Sequence, residues 1–275
     1  MINDHIRMAG AGRQFLPWRT VFLCFIIATT WIPSAGASSL DGAAERYRRY
    51  LIDDIGRALA GTRTLRERME ARDLDGAKRA WIEARVGWER SEVFTSGFVP
   101  ELDQLIDAWP NATYGFHGIE AKLFGANRTD SHAETDALIA HLGDLYTQVQ
   151  VIPLSPQRLL NGIARLVFEI GGNKADGGES RLSGTSLNDM QSNADGIELA
   201  YRIIFSDAVE AAAPQLAAAA RAAIDRLKAT VRIPTLRNLD SEKLRIESEA
   251  LVAILRSAAP GIGLETPTLE EITPQ

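Results

Sequence analysis

Residues 187–208, LNDMQSNADGIELAYRIIFSDA, carry apolar side chains at steps of three and four: Leu187, Met190, Ala194, Ile197, Tyr201, Ile204 and Ala208. Residues three and four apart share one face of an α-helix, so this alternation predicts a helix with a single apolar stripe. Ser186 stands just before the stretch, and Asp189 follows it by three residues. This spacing resembles a capping pattern for the start of a helix. The stretch therefore predicts one helix of a packed bundle.

The same periodicity runs through most of the chain. It recurs at Ala44, Tyr47, Leu51, Ile55 and Leu59, and again at Ala77, Trp81, Ala84 and Trp88. Further helices are predicted over about 134–149, 156–170, 213–230 and 240–258. Since no run alternates apolar and polar residues between turn residues, no sheet is predicted. We expect an all-α fold of helical bundles over 38–259, followed by a loose tail over 260–275 that contains three prolines.

The first 37 residues have the three parts of a secretory signal peptide. Three arginines precede an apolar run from Val21 to Trp31, and Pro33 and small residues at 35–37 follow it. The run is shorter than the roughly 20 apolar residues of a membrane span. We therefore expect export to the periplasm, cleavage near Ala37 and no stable membrane insertion afterwards. The alternative is a membrane anchor that is never cleaved.

Composition restricts the partners of the predicted mature protein. Without residues 1–37, three of the 30 lysines and arginines and one of the 36 acidic residues are removed, which leaves a formal charge of −8. An acidic chain without basic runs argues against nucleic acid or anionic lipid as a partner, and it suits a cation ligand. The single cysteine, Cys24, lies in the apolar run, so disulfides, thiolate catalysis and cysteine-bound metals are excluded.

The main candidate for chemistry lies in residues 114–124, which read YGFHGIEAKLF. His117 and Glu120 are three residues apart, so on a helix they share a face and can bind one ion together. Nitrogen and oxygen donors without sulfur suit iron, zinc or manganese better than copper(I). Taken alone, the pattern is more typical of a surface pair or of a core histidine hydrogen-bonded to a glutamate. Gly118 costs about 1 kcal/mol in a helix, which close packing by another element would justify.

Two ligands hold an ion weakly, and nearby segments offer more carboxylates. Glu89 and Glu92 share a face of the helix that begins near Trp81, and Arg85 stands four residues before Glu89, where it can pair with it. The alternative for this helix is a solvated face of salt bridges. Asp103 and Asp107 form another pair of carboxylates four residues apart, shortly before His117.

A glycine-rich loop at 171–184 offers two more acidic residues, Asp176 and Glu179. These residues could approach a cation or simply solvate a turn. The loop lacks the glycine order of a phosphate loop and the aspartate spacing of a calcium-binding hand. The chain also lacks the HExxH motif of zinc peptidases and the GxSxG motif of serine hydrolases.

Three blocks of sequence together resemble the imelysin-like family. They are the WxxxRxxWExxE run at 81–92, GFHGIE at 115–120 and GESRLSGTSLNDMQSNADG at 178–196, and they follow the family order. The resemblance implies two packed helical bundles and a metal site on His117 and Glu120, with Glu89 as a third ligand. The family includes the periplasmic component of Efe-type iron-uptake systems. This chain resembles the short form, because the longer Efe-type proteins also carry a cupredoxin-like domain.

These observations predict a periplasmic metal-binding protein of an iron-uptake system. The predicted ligands are His117, Glu120, Glu89 and Asp107, with iron as the expected ion and zinc as the alternative. The resemblance implies a membrane iron permease and a periplasmic peroxidase as partners. One alternative is a metal-dependent peptidase of the imelysin type with Glu120 or Glu89 as general base, against which the missing second histidine argues. The other is a module that binds polysaccharide or an envelope partner and holds a structural metal.

Overall fold

The computed structural model describes residues 35–108 and 111–269, and every regular element in these ranges is helical. The α-helices are α1 (Ala35–Glu70), α2 (Leu74–Phe98), α3 (Pro100–Ile106), α4 (Gly115–Glu120), α5 (His132–Gln148), α6 (Pro156–Gly171), α7 (Ser186–Ala200), α8 (Ser206–Ala212), α9 (Pro214–Val231) and α10 (Ser241–Ala258). The all-α prediction is confirmed. The predicted signal peptide lies outside the described residues except for residues 35–37, which begin α1.

The described helices pack as two bundles that share α2. In the first bundle α1 runs along α2 and α5, and the short helices α3 and α4 contact α2 and α5. In the second bundle α6 and α7 contact each other, α10 contacts α6 and α9, and α9 contacts α7. Helix α2 joins the bundles because it contacts α1 on one side and both α6 and α7 on the other. The prediction of two packed bundles is therefore confirmed.

Local sequence signals set the ends of several helices. Asp73 accepts a hydrogen bond from the backbone nitrogen of Gly76 at 2.9 Å at the start of α2, and Asp240 does the same for Lys243 at the start of α10. Such caps satisfy backbone donors that have no partner within the helix. The predicted bounds of α5, α6, α9 and α10 differ from the observed bounds by at most two residues.

The apolar stripe of residues 187–208 is helical as predicted, but it shifts after a π-helical turn at Tyr201–Phe205. A π turn closes its hydrogen bonds over one more residue than an α turn, so the faces beyond it rotate. Phe205 is fully buried, and Val209 continues the buried face at 2% exposed, whereas the predicted Ala208 is only half-buried. The helix was therefore predicted correctly, but the last buried residue of its apolar face is Val209 and not Ala208.

Two segments outside the α-helices lie against the bundles. The loop of residues 172–185 connects α6 to α7 and includes buried residues such as Lys174 and Ser180. After a short 3-10 turn at Ala259–Ile262, the described part of the C-terminal segment contacts α6 and α10. Gln157 and Glu265 exchange two hydrogen bonds, and Arg256 donates one to the carbonyl of Pro267. Within residues 35–108 and 111–269, no helix has the length and apolar character that crossing a membrane requires.

Candidate metal centre

Helix α2 carries three charged residues on a buried face between the two bundles. Arg85, Glu89 and Glu92 follow one another at about one helical turn each, and they are 1%, 0% and 9% exposed. Arg85 and Glu89 form an ion pair, as their spacing predicts. The alternative of a solvated face of salt bridges is wrong at these positions. The face lies where α2 meets α7 and α6, so groups from several other elements lie beside its charges.

Asp107, directly after α3, is the central carboxylate of this cluster. It accepts hydrogen bonds from Arg85 Nη1 at 2.7 Å and from Trp88 Nε1 at 2.9 Å. Burial alone would raise the pKa of Asp107, but the positive charges of Arg85 and His117 outweigh burial and lower this pKa to about 2. Arg85 also contacts Asp189 on α7 at 3.3 Å. Asp107 is therefore an ionised carboxylate held in place by two donors from α2.

Two glycines let α4 start close to its neighbours. Gly115 has a φ of +66°, and a Cβ at this position would lie 2.6 Å from the carbonyl oxygen of Ile106. A Cβ on Gly118 would lie 2.4 Å from the backbone carbon of Thr113. Gly118 is therefore justified by close packing, although the crowding atoms belong to the turn directly before α4 and not to another element. This tight start fixes the direction in which the next side chains of α4 point.

His117 lies between two carboxylates and is 2% exposed. Its Nε2 atom is 3.3 Å from Asp107 Oδ1, and its Nδ1 atom is 3.1 Å from Glu120 Oε2. Burial would lower the pKa of His117, but the charge of Asp107 and the hydrogen bond with Glu120 outweigh it and raise this pKa. Glu120 is held in turn by Ser183, whose backbone nitrogen and hydroxyl donate to Glu120 Oε1 at 2.8 and 2.7 Å.

The loop of residues 172–185 adds a lysine and a glutamate to the cluster. Lys174 Nζ lies 3.1 Å from Glu89 Oε2, 3.0 Å from Glu92 Oε2 and 3.1 Å from Glu179 Oε2. Burial would lower the pKa of Lys174, but these carboxylates raise it well above its usual value, so the side chain is a charged ammonium. Asn193 Nδ2, on α7, donates to the same oxygens of Glu89 and Glu92 at 2.9 and 2.7 Å.

Two overlapping sets of donor atoms could hold a metal ion. Asp107, His117 and Glu179 each offer one atom, and the three atoms lie within 4.8 Å of one another. Glu89, Glu92, Asp107 and Glu179 form the second set under the same limit. Of the four predicted ligands, Asp107 joins both sets, His117 joins the first and Glu89 the second. Glu120 belongs to neither set, because it faces the opposite nitrogen of the histidine ring; its role as a ligand stays a prediction.

Glu179 has a buried oxygen that accepts no hydrogen bond from the described residues. This atom is Oε2, and Lys174 Nζ is 3.1 Å away in a direction that makes no hydrogen bond. Burial and the charge of Glu89 raise the pKa of Glu179 to about 7, although Lys174 acts to lower it. Asp176, the other acidic residue predicted to approach a cation, has a side chain that is 67% exposed and pairs with Arg181 at 3.9 Å.

Sequence reasoning missed three members of the cluster. Asp189 contacts Arg85 and accepts a hydrogen bond from the Ser180 hydroxyl at 2.6 Å, and Lys174 and Asn193 bind the glutamates of α2. A signal for two of them was present, since Asp189 and Asn193 are four residues apart on a helix that the apolar pattern predicts to be packed. Nothing local marks Lys174, whose burial depends on how the loop folds over α2.

The fold and the site define a class: all-helical proteins that hold a histidine and several carboxylates between two packed bundles. The family model described as "Imelysin" (Peptidase_M75) matches residues 43–113 and 111–259, and the chain belongs to this imelysin family. The resemblance read from the three sequence blocks is confirmed.

Curated relatives and a solved structure extend this assignment. The iron uptake system component EfeO from Escherichia coli and its namesake from Shigella flexneri are each 32% identical to this chain over 171 residues. The match covers 58% of this chain and 44% of each relative, so the chain spans less than half the length of these relatives. The fold is also similar to a crystal structure from Parabacteroides distasonis, that of a protein assigned as an iron-regulated protein A precursor. The TM-score is 0.61 at 15% identity, and the match covers 82% of this chain and 94% of that chain. This similarity supports the fold.

Proposed function

We propose that this protein binds iron for an iron-uptake system and holds the ion at Asp107, His117 and Glu179. The observation that carries this proposal is the convergence of one atom from each of these residues to within 4.8 Å of one another in a buried place. The EfeO relatives are iron uptake system components, which supports iron as the cargo. The donor set of one nitrogen and several oxygens suits iron and other first-row metals without sulfur ligands.

The charge balance of the cluster favours a bound cation. Among the residues that the structure describes, the cluster has six carboxyl groups: Glu89, Glu92, Asp107, Glu120, Glu179 and Asp189. They are matched by three groups that carry or can carry a positive charge: Arg85, Lys174 and His117. Buried charges are costly unless they are paired or coordinate a metal. Burial raises the pKa of Glu92 well above its usual value and that of Glu179 to about 7, so a divalent or trivalent ion would replace protons on these groups and offset the negative charge of the others.

The hydrogen bonds that fix the ring of His117 are typical of a histidine that binds a metal. A histidine that binds a metal through one ring nitrogen commonly donates the other N–H to a carboxylate, which fixes the ring and raises its basicity. Glu120 is in this position at Nδ1, and Ser183 fixes Glu120 with two hydrogen bonds. Nε2 then faces Asp107.

Access to the site favours capture of an ion over turnover of a peptide. His117 is 2% exposed, and both of its ring nitrogens face carboxylates, so a peptide carbonyl would find little room beside it. The Glu179 side chain is 20% exposed, which makes the loop of residues 172–185 the side from which a small ion reaches the donors. The protein would capture iron in the periplasm, where the predicted signal peptide directs it, and deliver it to a membrane permease.

An anaerobic titration with ferrous ion tests the proposal. We expect the purified wild-type protein to bind ferrous ion saturably, His117→Ala to lose most of this binding, and His141→Ala on α5 to keep it. Zinc ion added as a competitor measures the relative affinity of the site for the two ions. If the wild type binds neither ion saturably, the proposed function is wrong.

Delivery to a permease needs a test in cells. A bacterial strain that lacks its own copy of this protein and depends on the corresponding permease should regain growth under iron limitation with the wild type but not with His117→Ala. Equal rescue by both proteins would mean that the role in iron uptake does not depend on His117, which contradicts the proposed site.

A further inference from the structure

Lys174 occupies the place in the cluster where a cation is surrounded by the most carboxylates. Its Nζ atom lies 3.0–3.1 Å from three glutamate oxygens, one each from Glu89, Glu92 and Glu179. The residue is 5% exposed, so the ammonium has exchanged its water shell for these oxygens. Two of the three glutamates come from α2, and the third comes from the same loop as Lys174 itself.

The three glutamates that hold Lys174 are also donors for a metal ion. Glu89, Glu92 and Glu179 belong to the second donor set, and Glu179 belongs to the first set with His117 as well. A lysine ammonium is a compact point charge on a flexible stem. Lys174 donates hydrogen bonds to Glu89 and Glu92, and its charge attracts Glu179. A metal ion that takes Glu179 as a ligand must draw it away from the ammonium, and an ion in the second set must replace the ammonium altogether.

We propose that Lys174 is a built-in competitor of the metal, which holds the three glutamates together before the ion arrives and leaves them when the ion binds. This inference rests on the proposed function, because it requires that the cluster takes up a metal ion. The lysine prevents mutual repulsion of the buried glutamates and weakens binding of any cation that cannot displace it. Lys174 is therefore a residue that determines specificity and lowers affinity, in contrast to the ligands.

Charge removal at Lys174 tests the inference. We expect Lys174→Gln, which removes the charge and keeps a polar side chain, to bind ferrous ion about tenfold more tightly or better than the wild type. The reason is that a unit charge 3.0–3.1 Å from three donor oxygens opposes a second cation strongly in a buried place. Lys174→Arg keeps the charge and should show no such gain. Lys243→Gln removes a charge from an exposed position on α10 and should bind like the wild type. If the wild type binds ferrous ion and Lys174→Gln binds no more tightly, the inference is wrong while the proposed function stands. If neither protein binds, the proposed function itself fails.

A measurement on the unmodified chain avoids any dependence on how the variant folds. The wild-type protein would be treated with an N-hydroxysuccinimide acetate ester with and without saturating ferrous ion, and the modified lysines identified by mass spectrometry. We expect Lys174 to be acetylated more strongly when the ion is bound, because displacement carries the ammonium towards solvent. Lys243 serves as the internal reference. An unchanged or lower reactivity of Lys174 in the metal-bound protein would overturn the inference.

Discussion

The Nδ1 atom of His117 lies 3.1 Å from Oε2 of Glu120, one helical turn further along the same chain segment. The second oxygen of Glu120 accepts two hydrogen bonds from Ser183, so the carboxylate is fixed at both of its oxygens. The pKa of Glu120 is lowered because the hydrogen bonds from His117 and Ser183 outweigh the effect of burial. An ionised, fixed carboxylate at Nδ1 leaves Nε2 as the nitrogen that is available to a metal ion.

Replacement of Glu120 should weaken metal binding without abolishing it. We expect Glu120→Gln to lower the affinity for ferrous ion about 10–100-fold, because a neutral amide fixes the ring less firmly and does not raise its basicity. An anaerobic titration measures the change, and Glu83→Gln at an exposed position of α2 serves as the control. A loss as complete as that expected of His117→Ala would instead make Glu120 a direct ligand.

The two acidic residues of the glycine-rich loop should respond differently to neutralisation. Glu179→Gln removes a carboxylate that belongs to both donor sets, so we expect it to weaken ferrous-ion binding more than Glu120→Gln does. Asp176→Asn, three residues earlier, changes an exposed side chain and should leave the affinity unchanged. The same titration compares the two variants. Equal losses in both would mean that the loop attracts cations by its overall charge and not through Glu179.

Helix positions followed from the sequence because one physical signal, burial of an apolar stripe, dominates them. The stripe from Ala44 to Leu59 is buried along its whole length, as is the one from Ala77 to Trp88. The π-helical turn at Tyr201–Phe205 did not follow from the sequence. Steps of three and four fit an α-helix equally well on both sides of such a turn, so the apolar pattern contains no sign of the extra residue.

The candidate site was only partly predictable because its members meet through packing between elements. His117 and Glu120 could be paired from their spacing, since both lie on α4. The approach of Asp107 to His117 depends on how α3 and α4 pack. The approach of Glu179 depends on the path of a loop without periodicity. Spacing therefore predicts contacts within one helix, while the donors that complete the site come from other elements.

Two glycines in helical segments should respond in opposite ways to alanine. Gly118→Ala forces a Cβ to within 2.4 Å of the Thr113 backbone, so we expect a loss of about 1–3 kcal/mol in the free energy of unfolding. Gly143→Ala on α5 meets no atom within 4 Å and should gain about 0.5–1 kcal/mol from the higher helix propensity of alanine. Urea unfolding of both variants measures these changes. If Gly118→Ala is as stable as Gly143→Ala, the close approach of α4 to residue 113 is wrong.

Asp103 should make the stability of the protein depend on pH. Burial raises the pKa of this carboxyl to about 6, so the folded protein holds the proton more tightly than the unfolded chain does. The contribution of Asp103 to stability is therefore greatest below about pH 4 and is lost as the pH rises towards about 7. Since Asp103→Asn cannot ionise, the free energy of unfolding of the wild type should fall relative to this variant by about 1–3 kcal/mol over that range. Urea unfolding at several pH values measures the difference, and a constant difference would contradict the assignment.

Arg85 should contribute more to stability than any ligand of the proposed metal. Its guanidinium contacts Glu89, Asp107 and Asp189, all of them buried. Arg85→Met fills a similar volume but leaves these carboxylates without their shared cation, and we expect a loss of about 3–5 kcal/mol measured by urea unfolding without metal. Arg79→Met, at an exposed position of α2, should change stability by less than about 0.5 kcal/mol.

Because an ion that binds the folded state alone stabilises it, saturating ferrous ion should restore part of the stability of Arg85→Met. If Arg85→Met were as stable as the wild type without metal, the three carboxyl groups that contact Arg85 would be neutral in the folded variant. A metal ion would then have to displace their protons in order to bind.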